Sequence, residues 1–268
     1  MKNSISRVRA SSLAACAASV VAASAGAAVS YSTSFEAPFT TGDIAGQQGW
    51  ATSVEGGSSG FIVGNVAGRA RTGTQYVSTD TSLNSSGWQW WEGSASTGGQ
   101  AQTAAQLAEP GSSIVRVSSW VNVFAAAAST TRTSYAGIQG YDGAVASMGF
   151  IRVTSAGGLQ LNNGTTTLAA TITGFALNQW NKIGIEFDYG ADKIRFYFND
   201  VLIDLSSQSG FDAFTKTSFG DIDLFRSRTS GTGGHTLLWD DYSVETIPAP
   251  GAIALLGVAG LVGARRRR

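Results

Sequence analysis

The chain is 268 residues long, 43% hydrophobic and only 13% charged, which is enough apolar material for one sizeable core. Its 18 acidic side chains all lie between Glu36 and Glu245, whereas seven of the 18 basic ones (Lys2, Arg7, Arg9 and Arg265 to Arg268) lie at the two ends. The middle therefore carries 18 acids against 11 bases, a net of minus seven, which argues against nucleic acid as a partner.

Lys2, Arg7 and Arg9 precede a stretch from Ala10 to Val29 made of small or apolar residues without charge. Basic residues followed by such a run form a secretory signal, so residues 1–28 are expected to be removed by signal peptidase. An uncut membrane anchor and a lipoprotein built on Leu13-Ala14-Ala15-Cys16 are the alternatives. Cys16 is the only cysteine, so no disulfide can form within the chain.

Residues 29–246 form the expected domain. Gly, Ser and Thr abound there, apolar runs are short and alternating, and no helical period persists, so the region reads as all-β. Strands are predicted over 30–36, 60–66, 75–78, 114–125, 135–141, 144–153, 159–161, 182–189, 193–198, 201–205, 218–226 and 237–244. Many short strands between glycine-containing turns favour a sandwich or jelly roll. The clearest unit is a meander: Ile183, Ile185 and Phe187 alternate with polar residues, Gly190-Ala191-Asp192 turns the chain, and Asn199-Asp200 turns it again before Val201.

This unit resembles the laminin-G-like and concanavalin-like jelly rolls on Trp180, Asp188 and Asn199. Phe35-Glu36-Ala37-Pro38 with Gly46-Gln47-Gln48-Gly49-Trp50 is similar to the opening of related surface modules, and Trp239-Asp240-Asp241-Tyr242-Ser243-Val244 to their closing strand. The resemblance implies a concanavalin-like jelly-roll sandwich.

Hydrolases of this fold place three carboxylates on one strand in the pattern Glu-x-Asp-x-x-Glu. Here Glu186 and Asp188 fill two positions and Ala191 the third, so the pair reads as solvent-facing, no catalytic residue is assigned, and the chain is expected not to be an enzyme. His235, the only histidine, reads as a loop residue. Glu36 and Asp240 would meet if the terminal strands pair, and the resemblance implies that such acids hold a structural calcium ion. In Trp88-Gln89-Trp90-Trp91, an extended chain puts Trp88 and Trp90 on one face, where they fill the core or form a platform for a glycan ligand.

Residues 247–268 read as a sorting tail: Pro248-Ala249-Pro250, an apolar run from Gly251 to Ala264, then Arg265, Arg266, Arg267 and Arg268. The run is short for a permanent span, and the arginines would stay cytoplasmic. The tail resembles the PEP-CTERM signal of exopolysaccharide-producing bacteria, departing from it at Ala249. The resemblance implies a short transmembrane helix, transient inner-membrane insertion, cleavage by an exosortase and release to the cell surface or medium. The expected product is a structural or adhesive surface or matrix protein, with glycan binding by the sandwich as an optional extra, the alternatives being a polysaccharide-active enzyme and a stable tail-anchored envelope protein.

Overall fold

The computed structural model describes residues 28–44, 46–54, 61–80, 87–91, 113–124, 131–144, 146–170, 174–229 and 235–248. The expected signal segment up to Ala27 and the tail from Ala249 onward lie outside these residues. Among the described residues no helix is long and apolar enough to cross a membrane.

The elements are β1 (Ala28–Thr33), β2 (Gly42–Asp43), β3 (Trp50–Val54), β4 (Ile62–Gly64), β5 (Tyr76–Asp80), β6 (Gly87–Trp91), β7 (Ser113–Phe124) and β8 (Ser134–Tyr141). They continue as β9 (Ser147–Thr154), β10 (Gly158–Asn162), β11 (Thr167–Ala170), β12 (Asn181–Asp188), β13 (Lys193–Phe198), β14 (Val201–Leu202), β15 (Asp221–Arg228) and β16 (Thr236–Pro248). Each predicted strand overlaps one of these, and β2, β3, β6 and β11 are additional.

The strands form two antiparallel sheets. One is nine-stranded, ordered β14-β13-β12-β7-β16-β5-β4-β2, with β1 also paired to β16. The other is seven-stranded, ordered β11-β10-β9-β8-β15-β6-β3. Alternation dictates what lies between them: Val115, Val117, Ile183, Ile185, Phe187, Ile194 and Phe196 from the first sheet meet Ile138, Ile151, Val153, Ile222 and Leu224 from the second. This is the expected all-β sandwich.

Local chemistry fixes the connections. The meander β12-β13-β14 turns at Asn199 and Asp200, whose φ values of 48° and 63° suit the tight hairpin turn. Asn199 Oδ1 also accepts the Lys182 amide at 2.8 Å, tying the turn to the start of β12. β16 pairs with β7 along its whole length and carries a bulge between Asp240 and Ser243, where three steps on β16 match two on β7. Before the bulge its other edge pairs with β5, and after it with β1.

Candidate functional site

β15 has two faces of opposite character. Ile222 and Leu224 point into the sandwich, so Asp221, Asp223 and Phe225 lie on the outer face of the seven-stranded sheet. The ladders around β15 set this face out in two rows. The first runs Gln160, Arg152, Gly137, Phe225, Trp88, Ser53. The second runs Asn162, Phe150, Gln139, Asp223, Trp90, Ala51. Trp88 and Trp90 thus stand opposite Phe225 and Asp223 in the ladder, while their side chains, on which the core-or-platform expectation falls, lie outside the described residues.

The first row is built around a cation. Gly137 has no side chain, and a Cβ there would lie 2.3 Å from the Ile151 carbonyl oxygen and 2.5 Å from Arg152 Cβ. The guanidinium of Arg152 lies among three rings, 4.3 Å from the centroid of Tyr135, 4.6 Å from Phe150 and 5.2 Å from Phe225. Its Nε and Nη2 donate to Gln160 Oε1 at 2.9 and 2.6 Å, and Nη1 donates to Ser227 Oγ at 3.1 Å. Burial holds this guanidinium below its ordinary pKa against the pull of Tyr135. Phe150 and Phe225 stack with centroids 6.0 Å apart.

The second row is built around an acid. Asp223 is 4% exposed, and its Oδ1 is buried without a hydrogen-bond partner among the described residues. Burial, and then the neighbouring charge of Asp221, push its carboxyl well above the ordinary carboxylate range. Asp221 stands two positions away on the same face, about 7 Å between Cα atoms at strand spacing. Gln139 flanks Asp223 and donates from Nε2 to Ser147 Oγ at 3.2 Å.

The other expected positions are placed differently. Glu186 and Asp188 lie on the outer face of the nine-stranded sheet, and both are buried rather than solvent-facing. Glu186 Oε2 accepts from Arg116 and from the Tyr197 hydroxyl at 3.1 Å, and Oε1 accepts Arg195 Nη1 at 2.7 Å. Asp188 Oδ2 takes the same Arg195 nitrogen at 2.8 Å, while Oδ1 accepts the amides of Gly190 and Ala191. These acids are consumed by cross-strand arginines. His235 precedes β16 and is buried, with Nδ1 3.0 Å from Ser134 Oγ, and burial lowers its pKa.

Glu36 and Asp240 do converge, through the pairing of β1 with β16, on the segment Arg71 to Gln75. Glu36 Oε1 accepts the amides of Thr74 and Gln75, both at 2.6 Å, and Oε2 accepts the Thr74 hydroxyl at 3.1 Å. Asp240 Oδ2 accepts the amides of Arg71 and Thr72 at 2.9 and 3.2 Å, and Oδ1 that of Asp241 at 2.8 Å. A cation needs oxygens aimed at it. Here the segment aims N–H groups at both carboxylates, an arrangement that suits anions and does not fit calcium. Burial raises Asp240 to about 6 despite its three amides. For Glu36 burial also pulls upward, but the hydrogen bonds from Gln75 and Thr74 outweigh it and lower its pKa.

A cleft of about 670 Å³ opens beside this clamp, lined by Tyr31, Arg71, Trp120, Lys182 and Asp241 among others. Its two cations are already paired: Arg71 with Asp241, and Lys182 with Asp200. Arg71 also sits 3.7 Å from the centroid of Trp120, covering one side of that ring.

No family model and no curated protein matches the sequence. Solved structures share its sandwich. An endo-1,3-beta-glucanase from Streptomyces sioyaensis superposes with a TM-score of 0.53 at 10% identity, over 83% of this chain and 97% of its own. The cellulose-induced protein Cip1 gives 0.50 at 15% identity, over 80% of this chain and 96% of its own. A sialidase gives 0.51 at 10% identity, over 84% of this chain but only 19% of its own length.

The expectation that the chain is not an enzyme is therefore corrected. It rested on a carboxylate missing at Ala191, in the turn after β12, yet an endo-1,3-beta-glucanase shares the sandwich and two carboxylates, Asp221 and Asp223, stand on β15 of the opposite sheet. The signal was present in the sequence as Asp221-Ile222-Asp223, an acid-apolar-acid alternation inside a predicted strand.

Proposed function

We propose that this chain is an exported, polysaccharide-active enzyme whose substrate lies across the outer face of the seven-stranded sheet. The observation that carries the reading is Asp223, a buried acid with an unsatisfied oxygen, beside a second carboxylate and a bed of aromatic rings. A buried group of this kind is costly to keep unless it has a task. With its proton bound more tightly than in an ordinary carboxylic acid, Asp223 supplies it to the departing glycosidic oxygen, and Asp221 acts as the companion carboxylate. Phe150 and Tyr135, both half-buried on this face, offer apolar ring surface to sugars.

The test is release of reducing ends from soluble polysaccharides, laminarin among them, with Asp223→Asn as the control. Cleavage abolished by that substitution supports the reading, and cleavage that survives it assigns the chemistry elsewhere.

Export rests on the sequence: the N-terminal signal, Pro248-Ala249-Pro250, the apolar run from Gly251 to Ala264 and the four terminal arginines. In this reading signal peptidase and an exosortase process the ends and the product reaches the cell surface or medium. Intact mass from medium and membranes tests it. A released species ending near Pro248 supports sorting, whereas retention of Arg265 to Arg268 in the membrane fraction leaves a tail-anchored protein.

For the calcium expected at Glu36 and Asp240, the amide clamp is the competing occupant. Thermal unfolding in EDTA and then in calcium separates them: a calcium-dependent rise in Tm assigns the ion, and an unchanged Tm assigns the clamp.

A further inference from the structure

We infer that the polysaccharide taken by this face is a polyuronate, and that Arg152 reads the carboxylate of one of its sugar rings. The inference rests on the reading of the seven-stranded face as the substrate face, and it names the substrate class.

Arg152 differs from six of the cations elsewhere in the fold. Arg71, Arg116, Lys182, Lys193, Arg195 and Lys216 each pair with an Asp or Glu. The partners of Arg152 among the described residues are all neutral: Gln160, Ser227 and three aromatic rings. A guanidinium has five N–H groups. Gln160 takes one from Nε and one from Nη2, and Ser227 takes one from Nη1, so one remains on each terminal nitrogen. Two N–H groups on neighbouring nitrogens match the two oxygens of a carboxylate, the forked contact that distinguishes arginine from lysine.

The setting suits that use. The missing side chain at Gly137 lets Arg152 lie over the sheet toward Phe225, and Gln160 and Ser227 hold its plane. The guanidinium is therefore oriented before the ligand arrives, one row away from Asp223 on the same face. A neutral glucan would leave this desolvated charge uncompensated, whereas a uronate would neutralise it.

The test compares binding of polygalacturonate, dextran sulfate and laminarin by the full chain, by Arg152→Gln and by Arg152→Lys, at low and moderate salt. Binding is measured in an Asp223→Asn background so that turnover does not interfere. The expected result is preferential binding of polygalacturonate, weakened by salt, lost at least tenfold in Arg152→Gln and partly kept in Arg152→Lys, with the Tm of both variants near that of the parent. Equal affinity of Arg152→Gln and its parent for polygalacturonate would overturn the inference, as would a preference for laminarin. Binding of dextran sulfate alone would overturn the carboxylate assignment. These outcomes are separable from failure of the enzymatic reading, which is decided by whether Asp223→Asn abolishes cleavage.

Discussion

Gly137 stands directly between Arg152 and Phe225 in the ladder of the seven-stranded sheet, and the space over its Cα is what brings the guanidinium to 5.2 Å from the Phe225 ring. A methyl group there would press on the Ile151 carbonyl and on Arg152 Cβ. Gly137→Ala is expected to destabilise the fold by about 1–3 kcal/mol, the cost of overpacking, and to disturb the arginine row. Urea unfolding measures the first effect, and polygalacturonate binding the second.

Asp240 makes stability depend on pH in an unusual direction. Its folded pKa is raised to about 6, above the ordinary unfolded value, so between the two the native state binds the extra proton. Its contribution is full below pH ~4 and lost as pH rises through about 6, on the order of 3 kcal/mol for a rise of that size. Glu36, lowered in the fold, has the opposite sign and loses its contribution in acid. Urea midpoints at pH 4, 5, 6 and 7 should show less of the decline toward pH 7 in Asp240→Asn than in the unsubstituted chain.

Glu186 neutralises two arginines from neighbouring strands. Removing its charge in Glu186→Ala leaves Arg116 without its acidic partner and Arg195 with Asp188 only. A loss of about 3 kcal/mol is expected for breaking a buried network of this kind, read as a fall in Tm. Its position on the opposite sheet predicts that the folded variant keeps its action on polysaccharide.

Activity should fall with rising pH as Asp223 loses its proton, because the reaction needs the protonated form. The raised pKa moves that alkaline limb above the range of an ordinary carboxylate. A pH–rate profile whose only limb lies near the usual carboxylate pKa would remove Asp223 from this role.

The sandwich was legible in the sequence where side-chain alternation was strong. Ile183, Ile185 and Phe187 announced β12, and Asn199-Asp200 announced its hairpin. β3 and β11 were not legible, since Trp50-Ala51-Thr52-Ser53-Val54 and Thr167-Leu168-Ala169-Ala170 are too weakly patterned to stand out. The convergence of Glu36 with Asp240 followed from the expected pairing of the terminal strands. The site face was harder to read, because register across five strands decides that Arg152, Gly137 and Phe225 share a row. Sequence spacing drew attention to Glu186 and Asp188, while only tertiary pairing reveals that arginines occupy them.

Parallel assays of Asp223→Asn and Glu186→Gln on a cleaved polysaccharide decide which sheet carries the chemistry. The prediction is a loss of at least 100-fold in rate for Asp223→Asn, consistent with removal of a general acid, and a near-unchanged rate for Glu186→Gln. Loss of activity in Glu186→Gln with retention in Asp223→Asn, both variants folded, would contradict it and move the active face to the nine-stranded sheet.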